Sequence, residues 1–545
     1  MNSFAGQQRG VPWPELALAV ALAAIPLLAG RFLPLIDLPQ HLAISRALAG
    51  LWQGEASFTQ HFVVDPWPQP YWLYYLLVCG LAQVLTVEWA NAAVIFAYSL
   101  GISLGVRHLL VTFGRNPHWW LVSVPLAWTS SFFYGFMAYL VGIPLVIFGI
   151  AEMERCTGAP PEDTRARWRL GILSLLIYLA HAQAFLWLLL SATVLLLLRW
   201  RSAATGLRTL VALGPSLALF AAWVWRTFVA ATPDASAPKV NQYGTLLDLG
   251  MRWEPFPKRL GTGMEQLYGS LTDGTNRWLG WLWLAVVIGG IVLNLRTPDS
   301  SGSFRSRSGR TLALLLGTFL LAWMTLPYDL NGQWYLAPRY LVFPAAVAVV
   351  AAAGESPGHR RLLGLGIALS VAFSLNVART VRAFQSTMEG LPGLLIQIPP
   401  GERVAHFAFD ERNTLGPDGV ATNGVVGVIE MPTSVSAHGF VPQYVGCPEG
   451  WMSPTHHASA YYQVWVGGDI ASSFAAAPSN PVRYHPGRRA AGVVEYEPEN
   501  VDWAVAPQHY RWFLVRGTLK GNAVRLGEFA TQADSRGGWE LWKAR

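Results

Sequence analysis

The chain has 545 residues, 52% hydrophobic and only 13% charged, where an ordinary soluble protein carries about 25% charged residues. That deficit, with 25 Trp, excludes a single water-soluble globule. Collagen-like and disordered chains are excluded too, since they need a strict glycine period or few large apolar residues. The net charge is +7, carried by Arg except for Lys239, Lys258, Lys520 and Lys543. The arginines cluster between apolar runs, as in the cytoplasmic loops of membrane proteins and unlike a nucleic-acid surface. Cys79, Cys156 and Cys447 lie far apart and match no metal or disulfide spacing.

Apolar stretches approaching the ~20 residues a helix needs to cross a bilayer predict about eleven spans. They fall near 14–33, 89–113, 118–134, 137–153, 169–181, 183–199, 206–231, 277–295, 311–327, 341–354 and 362–378. The first has only Arg9 before it and no cleavage site, and reads as a retained anchor. Arginine-rich segments 152–169, 199–208, 296–310 and 355–361 are expected to face the cytoplasm. The run 170–198 has basic clusters at both ends, so one crossing would expose one of them. Two short helices meeting at Ala180-His181-Ala182-Gln183 keep both inside. By the same parity, 66–86 is expected to lie along the outer interface as an amphipathic helix, with Trp67, Trp72, Tyr74 and Tyr75 as its aromatic belt. The N-terminus is then cytoplasmic. The outer parts are 34–88, the tips at 130–136 and His181, 232–276, 328–340 and everything after 379.

Beyond Arg379 long apolar runs vanish. Residues 380–545 are expected to form a separate soluble, mixed α/β, extracytoplasmic domain, following a membrane domain of 1–379. Strands are predicted near 403–409, 424–431, 492–496, 511–516 and 539–543, separated by Gly, Pro and Asn turns. His456, His457 and Asp469 do not make a metal site, because adjacent histidines point in different directions on any regular element and no further ligand spacing supports them. No phosphate-binding loop, dinucleotide fingerprint, nucleophile elbow or zinc-protease motif stands in its required context.

Such a chain suits a transporter, a channel, a receptor or an enzyme of lipid-linked substrates, and its outer polar residues must decide. Asp37 and His41 sit one helical turn apart directly after the first span. A carboxylate at a membrane boundary can be tuned for base work; equally, Asp37 before Pro39 and a helical run 41–52 is good N-cap chemistry. In loop 328–340, Asn331, Gln333, Tyr335, Arg339 and Tyr340 supply a cation and donors suited to a phosphate, or an arginine that reaches lipid headgroups. Arg226 lies near the outer end of an apolar helix, where it snorkels or faces a cavity. His181 and Gln183 stand at the hairpin tip as substrate contacts or as turn residues. Loop 232–276, with Lys239, Arg252, Lys258 and Arg259 among Tyr243, Trp253 and Phe256, reads as a lid or as a solvated interfacial face.

A first span, an acid directly after it, an amphipathic helix (41–52), the aromatic Trp67-Pro-Gln-Pro-Tyr-Trp-Leu-Tyr-Tyr segment, a second interfacial helix and many spans before a soluble tail together resemble the GT-C superfamily of membrane glycosyltransferases. Protein O-mannosyltransferases and aminoarabinose transferases belong to it, and the similarity is most specific over residues 31–113. The resemblance implies an inner-membrane enzyme transferring a hexosyl or pentosyl group from a polyprenyl-phosphate donor to a glycan, lipid or protein acceptor on the outer face. It makes Asp37 the catalytic acid of the first loop and Arg339 the donor-phosphate contact, with His41, His181, Arg226, Asn331, Gln333, Tyr335 and Tyr340 as substrate-binding candidates. Many relatives carry a second acid in the next outer loop. Here residues 129–139 hold no carboxylate, so nothing in the sequence supports a bound divalent metal. The departure also keeps open a non-catalytic scaffold of this layout, beside a transporter or flippase for lipid-linked cargo.

Overall fold

The computed structural model describes residues 10–35, 38–54, 62–64, 66–158, 164–199, 203–229, 251–269, 274–296, 306–330, 335–398, 404–408, 414–415, 420–421, 482–484, 511–516 and 523–545. Helix α1 (Trp13–Leu28) starts from Pro12, with Glu15 in its first turn, where the acid complements the helix dipole. Helix α2 (Leu38–Gln53) follows a short connection and β1 (Phe62–Val64) comes next. After them come α3 (Trp72–Leu81) and α4 (Val87–Thr112), the latter capped by the Thr86 side chain. A 3-10 helix (Pro117–Trp128) and the single turn α5 (Ser130–Phe133) lead into α6 (Met137–Gly158). The hairpin α7 (Thr164–Ala180) and α8 (Ala182–Arg199) precedes α9 (Ala203–Val224), which ends in a π turn (Trp225–Val229). Strand β2 (Met251–Arg252) introduces α10 (Phe256–Tyr268), α11 (Thr275–Arg296) and α12 (Arg307–Thr325). Strand β3 (Asp329–Leu330), α13 (Leu336–Arg339), α14 (Val342–Ala352), α15 (Pro357–Thr387) and α16 (Leu391–Leu395) complete the helical part.

Helices cover most of the described residues in each stretch expected to span. Among the described residues six helices are long and apolar enough to cross a membrane: Val87–Thr112, Met137–Gly158, Gly206–Thr227, Thr275–Arg296, Arg307–Thr325 and Pro357–Leu395. The others are shorter. The arms of the 170–198 hairpin have 17 and 18 residues, about 26 Å each at ~1.5 Å per residue, against a core of about 30 Å. Helix α6 is buried on nearly every face, packed among α4, α7 and α8. A Cβ at Gly142 would lie 2.7 Å from that of Ala184, so α6 and α8 can meet this closely only at glycine.

Two expectations are corrected. Residues 118–134 do not form an α-helical span: Pro117–Trp128 winds as a 3-10 helix, a long run for a conformation that seldom exceeds one turn. Pro125 has no N–H to give the Val122 carbonyl three residues back, and Trp283 Nε1 donates to it instead at 2.7 Å. Ser370 Oγ and the Tyr98 hydroxyl likewise donate to the carbonyls of Leu121 and Ala127, at 2.8 and 3.0 Å. Side chains from three other helices thus hold this segment in the core. Second, Tyr74 and Tyr75 do not line an interface. Helix α3 packs against α2, α4, α6 and α7, and both phenols are buried and hydrogen-bonded.

The expected boundary at 379/380 falls inside α15, which runs on to Thr387 and leads into α16, seated on the C-terminal sheet. That sheet has the order β4-β8-β10-β9: β4 (Val404–Ala408) lies parallel to β8 (Trp512–Arg516), and β10 (Trp539–Ala544) is antiparallel to both β8 and β9 (Ala530–Arg536). Strands at 403–409, 511–516 and 539–543 therefore form. Strand β9, of sequence ATQADSR, is an edge strand with no apolar alternation to announce it. A hairpin of β5 (Thr414–Leu415) and β6 (Val420–Ala421), a strand β7 (Val482–Tyr484) and a helix α17 (Ala523–Phe529) complete this part. Strand β7 pairs antiparallel with β1 of the first loop, Phe62 opposite Tyr484. The expected strands 424–431 and 492–496, with His456, His457 and Asp469, lie outside the described residues.

Candidate active site

Breaks between apolar helices collect polar groups, because helix ends leave backbone donors and acceptors to satisfy. The sharpest break is His181, between α7 and α8. Its Nδ1 accepts the Gln183 N–H at 3.1 Å, which caps α8 and leaves the neutral ring with its proton on Nε2. The Ala180 carbonyl at the end of α7 accepts the Tyr71 N–H at 3.2 Å. His181 is 2% exposed, with the rings of Tyr71 and Tyr139 at 4.5 and 5.3 Å. Burial first, then the charges of Arg339 and His41, hold its pKa well below the ordinary histidine value.

Arg339 ends α13, and its guanidinium lies 3.6 Å from the centroid of Phe136, a cation–π contact. Its carbonyl accepts the Tyr139 hydroxyl at 2.8 Å. Tyr340 follows and is buried, its ring 4.8 Å from Trp187 and 6.4 Å from Tyr139. Tyr335, just before α13, donates its hydroxyl to the Gln266 carbonyl and so ties this loop to α10. His41 on α2 shares a 2.8 Å hydrogen bond between Nδ1 and the Tyr75 hydroxyl, with the Tyr74 ring edge-on at 5.6 Å. Burial lowers the His41 pKa to about 3, so both histidines are neutral at pH 7.

Among the described residues the non-glycine positions with positive φ are Tyr71 (81°) and Tyr335 (61°). For a bulky residue that conformation costs about 1–3 kcal/mol and gathers at functional sites. Both tyrosines border this cluster, one against His181 and one leading into Arg339.

His41, His181, Tyr335, Arg339 and Tyr340 therefore gather from α2, the α7–α8 break and the segment around α13, with Tyr139 of α6 between them. Arg226 stands apart, exposed in the π turn, its guanidinium 5.3 Å over the ring of Trp67. Trp67 shares a loop with Tyr71 of the cluster, and that loop is pinned by the Tyr178 hydroxyl, which donates to the Pro68 carbonyl at 3.0 Å. Asp37, Asn331 and Gln333 lie outside the described residues, as do Lys239 and Tyr243. In the sequence Asp37 directly precedes α2.

Arg259 is neither on a lid nor on a solvated face. It is 1% exposed, and its Nη1 donates to the carbonyls of Trp323, Met324 and Leu326 at 2.8, 2.9 and 2.7 Å, closing the C-terminus of α12 with a cation. Lys258, beside it, pairs with Glu254 at 3.4 Å. Sequence reasoning passed over Phe136 and Tyr139, which lie in the segment noted only for its missing carboxylate. It passed over Glu88 as well, a first-turn acid of a long apolar helix.

No family model and no curated protein matches the sequence. The crystal structure of ArnT from Cupriavidus metallidurans bound to undecaprenyl phosphate is similar over 97% of this chain and 97% of that one, with 11% identity and a TM-score of 0.52. The apo state of the same protein covers 96% and 97%, at 11% identity and a TM-score of 0.47. At this identity the likeness is one of architecture: the chain shares the fold of that crystallised protein.

Proposed function

We propose that the protein is a multi-pass inner-membrane glycosyltransferase that moves a hexosyl or pentosyl group from a polyprenyl-phosphate donor to an acceptor on the extracytoplasmic face, inverting the anomeric carbon. The observation that carries this reading is the gathering of His41, Tyr139, His181 and Arg339 from four chain segments among apolar helices. The fold is shared with a protein crystallised with undecaprenyl phosphate.

In this scheme an acceptor hydroxyl attacks the anomeric carbon while the bond from that carbon to the phosphate oxygen breaks. Asp37, which precedes α2 in the sequence, takes the hydroxyl proton. The polyprenyl phosphate leaves with its electron pair, and Arg339 meets the charge it carries. A fixed cation in a water-poor site stabilises developing charge far better than one in water. His181 presents its Nε2–H to the phosphate while Nδ1 stays engaged with Gln183. His41, Tyr335 and Tyr340 bound the same space, and Asn331 and Gln333 join from the loop before α13. Arg226, over Trp67, lies where the isoprenoid phosphate enters. Residues 380–545 form the extracytoplasmic domain, and the pairing of β7 with β1 brings that domain to the first loop.

The test is transfer of a labelled sugar by the purified protein in nanodiscs, comparing wild type with Asp37→Asn. A general base contributes roughly 10²–10⁴-fold, and a loss of that size is expected in a variant that still folds and inserts. Undiminished transfer removes Asp37 from the reaction.

A further inference from the structure

At the bundle end where α1 gives way to α2, a shallow cleft opens between α1, α2 and α4. Its walls are Leu27, Leu33, Leu38 and Leu42, and its polar end holds Arg31, Glu88 and Asn91. Glu88 is 9% exposed, and neither carboxylate oxygen has a hydrogen-bond partner. Glu88 Oε1 lies 3.5 Å from Arg31 Nη2 in an ion pair. Position in the first turn of α4 accounts for the sign of the charge. It does not account for burial without donors, which costs a carboxylate far more than it costs a neutral group.

We infer that this cleft binds a phospholipid whose headgroup carries a primary ammonium beside its phosphate. The ammonium supplies the N–H donors that Glu88 lacks, the phosphate accepts from Arg31, whose side chain is 48% exposed, and the leucine wall takes the start of the acyl chains. Exposed Leu28 and Trp89 beside the mouth continue that apolar surface toward the bilayer. A quaternary choline head has no N–H to give, and a glycerol head has no cation, so Glu88 makes the cleft selective. The site also touches the candidate active site: Asn91 accepts the Tyr74 hydroxyl at 2.8 Å, and the Tyr74 ring abuts His41. The inference does not depend on the proposed transferase activity.

The experiment is native mass spectrometry of the full-length protein, delipidated and then offered dioleoyl phosphatidylethanolamine, phosphatidylcholine and phosphatidylglycerol at equal concentration. Wild type is expected to retain the ethanolamine lipid at least fivefold above the other two. Glu88→Gln is expected to bring retention down to the choline level. Ala92→Trp, which narrows the cleft from a half-exposed position on α4 without touching a charge, is expected to abolish the preference while the protein elutes as wild type by size exclusion. Equal retention of all three lipids by wild type overturns the inference. So does an undiminished preference in Ala92→Trp, whether or not Glu88→Gln folds.

Discussion

Tyr139→Phe deletes one oxygen from the candidate site and leaves the ring that packs against His181, Tyr340 and Phe343. The lost group is the hydroxyl that donates to the Arg339 carbonyl at 2.8 Å, from a residue 1% exposed. A neutral hydrogen bond contributes about 1 kcal/mol net, and an acceptor left buried without its donor costs up to about 3 kcal/mol. With tenfold per ~1.4 kcal/mol, kcat/KM for the polyprenyl-phosphate sugar should fall roughly 5- to 100-fold. The loss comes from a displaced guanidinium, since small misplacements at a reacting centre are this expensive. The assay is initial-rate transfer in nanodiscs against donor concentration, with the unfolding midpoint measured alongside. A Tyr139→Leu variant, which also loses the ring contacts, should fall further and unfold earlier. If Tyr139→Phe transfers sugar at the wild-type rate, Arg339 is not placed by this bond or does not meet the donor.

Burial holds the folded-state pKa of His41 at about 3 and that of His181 well below the ordinary value, against about 6.5 in the unfolded chain. The unfolded state therefore binds the extra protons first: the stability contribution is complete above about pH 6.5 and declines as the pH falls toward 3. Unfolding midpoints measured from pH 7.5 to 4.5 should drop, and His41→Gln should flatten the slope; a parallel slope in that variant contradicts the burial account. Arg259→Met strips three carbonyls at the end of α12 of their donor and should cost on the order of 3 kcal/mol, read as an unfolding midpoint several degrees lower. A loss within a degree of wild type means the cap is not holding α12. Arg226→Ala loses an exposed cation–π contact worth about 0.5–1 kcal/mol and should leave the midpoint nearly unchanged. Arg339→Ala should remove most transfer, about 10²-fold or more, with Arg339→Lys recovering a part; equal transfer by Arg339→Ala and wild type contradicts the phosphate role.

Local chemistry was legible in the sequence where it was sufficient. Pro39 and the run 41–52 mark α2, and arginines at both ends of 170–198 force the hairpin whose break is His181. The 3-10 form of Pro117–Trp128 was not legible, because it rests on donors from residues 98, 283 and 370, far along the chain. The same holds for the candidate site. His41, His181, Arg339 and Tyr340 could be named one at a time, each as a polar residue at the end of an apolar run. That they share one cluster, with Tyr139 bonded to the Arg339 backbone, depends on how α2, α6, the α7–α8 break and the segment around α13 come together. Tyr74 and Tyr75 show the same limit from the other side: aromatic residues in a short apolar helix suit a membrane interface and a buried contact equally well by composition, and the neighbouring helices decide.

The central claim is a covalent one, that sugar leaves a polyprenyl phosphate and joins an acceptor. Mass spectrometry of purified wild-type protein in liposomes, given isotope-labelled polyprenyl-phosphate sugars and envelope lipids or glycans as acceptors, reads it directly. The account predicts free polyprenyl phosphate and labelled acceptor in equal amounts, both absent with Asp37→Asn. Movement of intact donor across the bilayer with no covalent product would contradict it and establish a carrier of lipid-linked cargo instead.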